Sequence, residues 1–334
     1  MKKTILYISI AILLLALAAG YTAYTCLFRP NIKDSSVCIT LYDSDSREDV
    51  IRKISESGML VSDRTFSLLA HWKLDRVTTG CYRFNDSADN RYIVNSIRMG
   101  WQTPTTFTVS GKIRSIARLS SVLSGQLAAD SASIDQAFRK YGEGRDEMTT
   151  LSIVIPNTYE VYWTISPEKL IERFEQEYRR FWNSERTAKA EKIGLTPKEA
   201  GILASIVGEE SNVEKELPVI AGVYINRLKR GIPLQADPTV KFAAQDPGLK
   251  RILLKHLDID SPYNTYKHTG LPPGPIVVPS STEIDAVLNY REHDFLYFCA
   301  DPSFDGTHRF AKGLREHNRN AAEYHQALSR LKIN

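Results

Sequence analysis

The longest hydrophobic block opens the chain. Thr4 to Phe28 runs for 25 positions without a charge and contains the run from Ile10 to Ala19, Ile-Ala-Ile-Leu-Leu-Leu-Ala-Leu-Ala-Ala. About 20 apolar residues, rising about 1.5 Å each, cross a hydrocarbon core of about 30 Å. The pattern predicts a transmembrane helix over residues 4–28. Lys2 and Lys3 assign residues 1–3 to the cytoplasm, which leaves everything from Arg29 onward outside. A cleaved signal peptide is the alternative, but apolar character continues past the small residues of 16–23 through Tyr24, Cys26, Leu27 and Phe28. The Ala-Tyr-Thr before Cys26 is also a poor lipoprotein signal. An uncleaved anchor is the preferred reading.

Beyond the anchor the periodicity changes three times. Residues 37–109 mix short strand-like and helical runs. Val37 to Leu41 is strand-like, and Ser46 to Ser57 places Val50, Ile51 and Ile54 at helical spacing before Gly58. A second helix starts at Ser62, residues 78–84 read as a strand, and residues 91–99 as a helix ending at Gly100. Strand, helix, helix, strand is the order of a LysM-like glycan-binding module, which this segment resembles weakly; a plain spacer is the competing reading. Residues 110–194 form a helical connecting region, with helices expected over 113–127, 133–141 and 167–182. An extended, aromatic-rich stretch lies between them at 153–163. Residues 195–334 form the third region, and the fold class expected is α+β with helices dominant.

One helix of the third region carries an anomaly. Thr196-Pro-Lys-Glu199 is a capping box with proline at the first helical position. Setting Leu203 at zero and advancing about 100° per residue puts Ala200, Val207 and Ile206 within about 60° of it. Glu210 falls at about 340°, inside that apolar face, while Glu209 falls at about 240°, on its edge. A carboxylate facing a core is costly to ionise. From this helix alone, an ion pair with Arg227 is the simpler account, and a catalytic acid with a raised pKa the alternative.

Composition narrows the classes. A chain of 334 residues suggests about two domains, and 43% hydrophobic with 25% charged residues is ordinary for a globular protein. The net charge is +4, and Lys2 and Lys3 supply two of those charges. No basic patch suits nucleic acid. Cys38, Cys81 and Cys299 are widely spaced; one disulfide could form, but small buried hydrophobes are the expected role. The seven histidines form no HExxH pattern, so no metal or other cofactor is expected. His308 and His317 are read as a hairpin hydrogen bond and a helix-face residue.

Downstream of Glu210 lie a helix over 218–229 and three polar or rigid blocks: Leu234-Gln-Ala-Asp-Pro-Thr, Tyr263-Asn-Thr-Tyr and Gly270-Leu-Pro-Pro-Gly-Pro-Ile. Their Gln, Asn, Thr and Tyr side chains are the donors, acceptors and stacking faces that sugar recognition uses. A hairpin is expected across residues 295–311, followed by a helix over 314–331.

In order along the chain, these blocks, with Leu203-Ala-Ser-Ile-Val-Gly-Glu-Glu-Ser and Tyr224-Ile-Asn-Arg-Leu, resemble the membrane-anchored endolytic murein transglycosylases, the MltG/YceG-like family. Ile155-Pro-Asn-Thr-Tyr-Glu resembles an upstream landmark of the same family. The family helix commonly ends Ile-Val-Glu-x-Glu. Here Gly208 replaces the first of those acids, and the second, catalytic in the family, falls on Glu210, the residue the face calculation selects.

The resemblance implies a lytic transglycosylase that cleaves the bond between N-acetylmuramic acid and N-acetylglucosamine in nascent strands, with Glu210 as acid and then base. Gln235, Tyr263, Asn264 and Tyr266 would bind substrate. Asn226 and Arg227 would support the site; Asp237 is read first as the cap of the helix after it, with orienting the site or stabilising an oxocarbenium-like centre as its other roles. Peptidoglycan synthases and penicillin-binding proteins are the partners implied, at the outer face of the bacterial cytoplasmic membrane, without nucleic acid. A hydrolytic muramidase using Asp237, and a non-catalytic glycan-binding scaffold, are the alternatives.

Overall fold

A computed structural model describes residues 2–246, 249 and 251–330. Met1 of the expected cytoplasmic tail and Leu331 of the expected last helix lie outside them. The chain divides into two compact units, one formed by Met1–Phe107, Gln126–Ala128 and Tyr159–Ile165, the other by Thr108–Gly125, Ala129–Thr158 and Ser166–Asn334.

The first unit begins with α1 (Lys2–Leu27), whose Tyr7–Leu27 portion is long and apolar enough to cross a membrane. Strand β1 (Cys38–Leu41) pairs antiparallel with β2 (Gly80–Arg83), setting Ile39 opposite Tyr82. Between them run α2 (Arg47–Glu56), with a Ser46/Asp49 capping box, and α3 (Asp63–Lys73), capped by Ser62. This is the expected strand–helix–helix–strand order, and it is compatible with a LysM-like module. Helix α4 (Asn90–Met99) starts at an Asp89 cap and stops at Gly100, whose φ of +69° needs no Cβ to be accommodated. Strands β3 (Thr105–Thr108) and β4 (Thr158–Val161) make a second two-stranded sheet; the aromatic-rich stretch contributes β4. Val50, Ile54, Phe66, Ile93 and Ile97 are fully buried in the core.

Two features of this unit depart from expectation or extend it. Cys38 and Cys81 form a disulfide with Cα atoms 6.2 Å apart, so they are not simply small buried hydrophobes. The β1–β2 register brings together two thiols that lie 43 residues apart in sequence. At the end of α1, carbonyl groups without intrahelical partners are met by α4. Asn90 Nδ2 donates to Cys26 O at 2.9 Å and Arg91 Nε to Leu27 O at 3.2 Å.

The second unit is mostly helical. It contains α5 (Ile116–Ser124), α6 (Ser131–Tyr141), α7 (Glu147–Leu151), α8 (Pro167–Phe181) and α9 (Ser184–Lys192). Helix α5 is shorter than the expected 113–127 because Ser115 caps it. The charged run after Pro167 is broken at Trp182, where Asn183 caps a new helix. There follow α10 (Pro197–Glu210), α11 (Leu217–Lys229), α12 (Asp237–Ala243) and α13 (Ser281–Leu288). The unit closes with the antiparallel hairpin β5 (Tyr297–Ala300) and β6 (His308–Ala311), and α14 (Leu314–Arg330). The fold class is α+β with helices dominant, as expected.

Helix α10 is the centre of this unit. Its predicted capping box is formed, and Leu203, Ile206 and Val207 are buried against Ile220, Tyr224, Ile284 and Val287. Burying a side chain of this size contributes roughly 1.5–3 kcal/mol, so the helix that carries the two glutamates is firmly held. Ser205, fully buried, accepts a hydrogen bond from Ile276 N at 3.1 Å. That bond docks the proline-rich loop on α10.

Candidate active site

Glu210 ends α10 at the wall of a cavity shared with Tyr224, Arg227, Gln235, Asp237, Tyr266 and His317. Helix α11 returns alongside α10, and Tyr224, two turns into it, donates its hydroxyl hydrogen to Glu210 Oε1. Burial pushes the Glu210 carboxyl up to about 7; the Tyr224 hydrogen bond opposes this, while the nearby Asp237 and Glu209 add to it and Arg227 subtracts. A carboxyl in that range is populated in both forms near neutral pH, which suits proton transfer in either direction.

Arg227 is not the ion-pair partner that the helix pattern alone suggests. Its Nε donates to Leu296 O at 2.7 Å and its Nη1 to Leu234 O at 2.8 Å, Pro233 O at 3.1 Å and Gln235 Oε1 at 3.2 Å. It is 7% exposed and ties the loop before α12 to the hairpin. That loop forces Gln235 to φ +50°, an unfavourable region for a residue with a Cβ. Two residues on, Asp237 lines the cavity.

Asp237 does not cap α12. The capping position is Ala236, which offers no side-chain bond, and Asp237 is the first helical residue. Its Oδ1 accepts a hydrogen bond from Tyr266 Oη at 2.7 Å. Proline at 238 suits the first turn and frees the aspartate for that contact.

The other expected ligands are dispersed. Asn264 is fully buried, donating to Leu257 O at 2.9 Å and Ile259 O at 2.8 Å; it shapes the turn that presents its neighbours. Tyr263 lines a second cavity, with Arg114, Glu209 and Lys241, where its hydroxyl donates to Asp146 Oδ1 at 3.0 Å. Gly274 packs under that tyrosine, since a Cβ there would lie 2.7 Å from Tyr263 Oη. Asn226 donates to His293 O at 2.7 Å and Phe295 O at 3.1 Å, steadying the approach to the hairpin. Thus Glu210, Gln235, Asp237, Tyr266 and Arg227 meet in one cavity, while Tyr263, Asn264 and Asn226 do not line it.

Glu209 and Gly208 complete the end of α10. Glu209 pairs with Lys112 at 2.8 Å and with Arg114, and Lys112 also donates to Gly208 O at 3.2 Å. A Cβ on Gly208 would collide with the Glu283 carboxyl. Where the resemblance leads one to expect a glutamate on α10, α13 supplies a carboxylate to the same space.

Sequence reasoning missed Tyr224, Tyr297, Phe298 and His317. Tyr224 reads as one of an apolar stripe, and His317 reads as a helix-face residue; the structure places it in the cavity instead. His308 also differs from its reading, with Nδ1 and backbone N both on the Glu216 carboxylate, at 2.9 and 2.8 Å. Tyr224 comes to Glu210 through the return of α11, and Tyr297, Phe298 and His317 only through the later return of β5 and α14, which no local spacing signals.

A carboxyl raised to about 7 shares a cavity with a second carboxyl and with the hydroxyls of Tyr224, Tyr266 and Tyr297, on a helix-rich α+β chain with an N-terminal apolar helix. The chain belongs to the YceG-like family, whose profile matches residues 39–323. It is 45% identical over 122 residues to an endolytic murein transglycosylase of Bacillus subtilis (strain 168), covering 36% of this chain and 33% of that protein. A protein of the same name from Streptococcus pneumoniae serotype 2 (strain D39 / NCTC 7466) is 38% identical over 134 residues, 39% of this chain and 24% of the relative. The matches therefore span a third or less of those relatives' own length. A crystal structure of a yceG-like protein from Listeria monocytogenes shares the fold, with a TM-score of 0.56 and 22% identity over 85% of this chain and 98% of that one.

Proposed function

We propose that this chain is an endolytic murein transglycosylase that cuts nascent glycan strands close to the membrane. The observation that carries this reading is Glu210: a carboxyl with a pKa near 7, held by one tyrosine, beside a second carboxyl. The names of the relatives support the reaction class. The protonated Glu210 gives its proton to the glycosidic oxygen as the bond to C1 of the muramyl residue breaks. The resulting carboxylate takes the proton of the C6 hydroxyl, whose oxygen closes onto C1. A 1,6-anhydro ring forms and no water is consumed. The nucleophile is part of the substrate, so its effective concentration is high. Asp237, steadied by Tyr266, stabilises positive charge developing at C1, and Gln235 positions the strand. The Cys38–Cys81 disulfide fits an oxidising compartment and supports an outward-facing catalytic unit. The anchor keeps the enzyme among the synthases and penicillin-binding proteins that extend its substrate.

Asp237 in the same cavity favours one second reading, a muramidase in which two carboxyls activate water. The test is mass spectrometry of uncrosslinked glycan strands treated with the full-length protein in detergent, with Glu210→Gln as control. Internal cuts whose new ends are one water lighter than reducing ends support the transglycosylase. Ordinary reducing ends would mean hydrolysis. No cleavage by folded protein would leave a glycan-binding scaffold.

A further inference from the structure

The acid–base chemistry gives the cavity's imidazole no task. His317, on α14, lines the cavity with Glu210, Tyr297 and Leu314. Its ring stacks on Tyr297 with centroids 5.4 Å apart and planes 28° apart. The Arg227 guanidinium carbon lies 5.0 Å from the centroid of the same tyrosine ring. The imidazole is therefore fixed in orientation by an aromatic neighbour that is itself held.

Its two nitrogens differ. Nδ1 is enclosed and has no hydrogen-bond partner among the described residues. A bare nitrogen there is an unmet acceptor and a protonated one an unmet donor, and buried N–H groups without a partner are the rarer of the two. Burial, and then Arg227, hold the pKa of His317 below its ordinary value, so the ring is neutral at neutral pH. Its single proton then sits on Nε2, the nitrogen that is not enclosed. The cavity thus offers a neutral donor that accepts nothing in return, next to the apolar surfaces of Tyr297 and Leu314.

A sugar hydroxyl can accept from such a donor but brings no apolar surface to Tyr297 and Leu314. An acetamido group matches it well, having a strong carbonyl acceptor next to a methyl group. We infer that His317 is a substrate-binding residue that donates Nε2–H to the acetamido carbonyl of an N-acetylated sugar, with Tyr297 and Leu314 covering the methyl. A de-N-acetylated sugar has no carbonyl for Nε2–H, and its ammonium would stand near the Arg227 guanidinium. The site therefore selects acetylated glycan over de-N-acetylated glycan. This rests on the reading of the cavity as an amino-sugar site.

The experiment uses the full-length Glu210→Gln protein in detergent, which leaves the ligand intact. It is titrated calorimetrically with chitotetraose and with the fully de-N-acetylated tetramer. The starting protein is expected to prefer the acetylated tetramer. Adding His317→Ala should lower that affinity about tenfold, the value of one hydrogen bond with its packing, and leave the weaker ligand unchanged. Adding His317→Gln, which keeps an N–H donor of similar reach, should retain most of the preference. An equal fall for both ligands, or no change for either, overturns the inference. If the protein with His317 intact binds both tetramers alike, the inference alone fails. If it binds neither, the amino-sugar reading fails with it.

Discussion

Two cavities meet the last turn of α10, and they are built from neighbouring residues to opposite effect. Glu210, Asp237 and Tyr266 line one; Glu209, Pro238 and Tyr263 line the other. Each contains a tyrosine–aspartate hydrogen bond from the same four-residue turn, Tyr266 to Asp237 in the first and Tyr263 to Asp146 in the second. Asn264 and Thr265, both buried, fix that turn between them. The difference is in how the glutamates are held. Glu209 meets two cations, Lys112 and Arg114, whereas Glu210 meets a neutral hydroxyl. The phenol's hydrogen bond only partly offsets burial, so the Glu210 carboxyl stays raised to about 7.

Exchanging the two glutamates for glutamine should expose this difference most strongly. Glu210→Gln is expected to lower strand cleavage by at least about a hundredfold, the scale of a general acid–base residue, and Glu209→Gln by no more than severalfold. Product release from a defined glycan by both variants decides it; equal losses would remove the distinction.

Stability should move the other way. The Glu210 carboxyl rises from an ordinary 4.5 to about 7 in the folded chain. The native state therefore holds a proton that the unfolded state has lost, and stability falls as pH climbs through that window. Replacing Glu210 with neutral Gln removes the penalty, worth up to about 3 kcal/mol at pH 8 and near zero at pH 4. Thermal melting of both proteins at the two pH values reads this; a gain at the acidic value as large as the alkaline one would contradict it.

A steric prediction tests the join between α10 and α13. Gly208→Ala should cost about 1–3 kcal/mol, because the new Cβ meets the Glu283 carboxyl. Adding Glu283→Ala should recover part of that loss, although it also removes the Ser280 capping box. A double-mutant cycle on unfolding free energy shows the coupling, and strict additivity would exclude it.

The smallest expected effect is a displaced pH profile. If Glu210 must enter the reaction protonated, the rate falls above about pH 7. Tyr224→Phe removes a hydrogen bond that favours the carboxylate, so the alkaline limb should move upward by less than about one pH unit. A downward displacement would mean that Tyr224 acts otherwise.

These contrasts were unequally legible in the sequence. The apolar face of α10 follows from helical period, and that period placed Glu210 inside and Glu209 at the edge. The Thr196 capping box and the terminal hairpin are local and were readable in the same way. Asp237 was misread because Asp-Pro is a strong capping signal, while its actual partner, Tyr266, is 29 positions away. The Cys38–Cys81 bond and the arrival of His317 at the cavity depend on strand pairing and chain return, which no window of neighbouring residues encodes.

The grip of α4 on the end of α1 has a mechanical consequence. Asn90 and Arg91 hold carbonyls of the last turn of α1 directly. The helix is then a spindle rather than a leash, and its tilt is passed to the first unit through those bonds. Since helices tilt to match the thickness of the lipid around them, the attitude of that unit over the surface becomes a function of the bilayer itself.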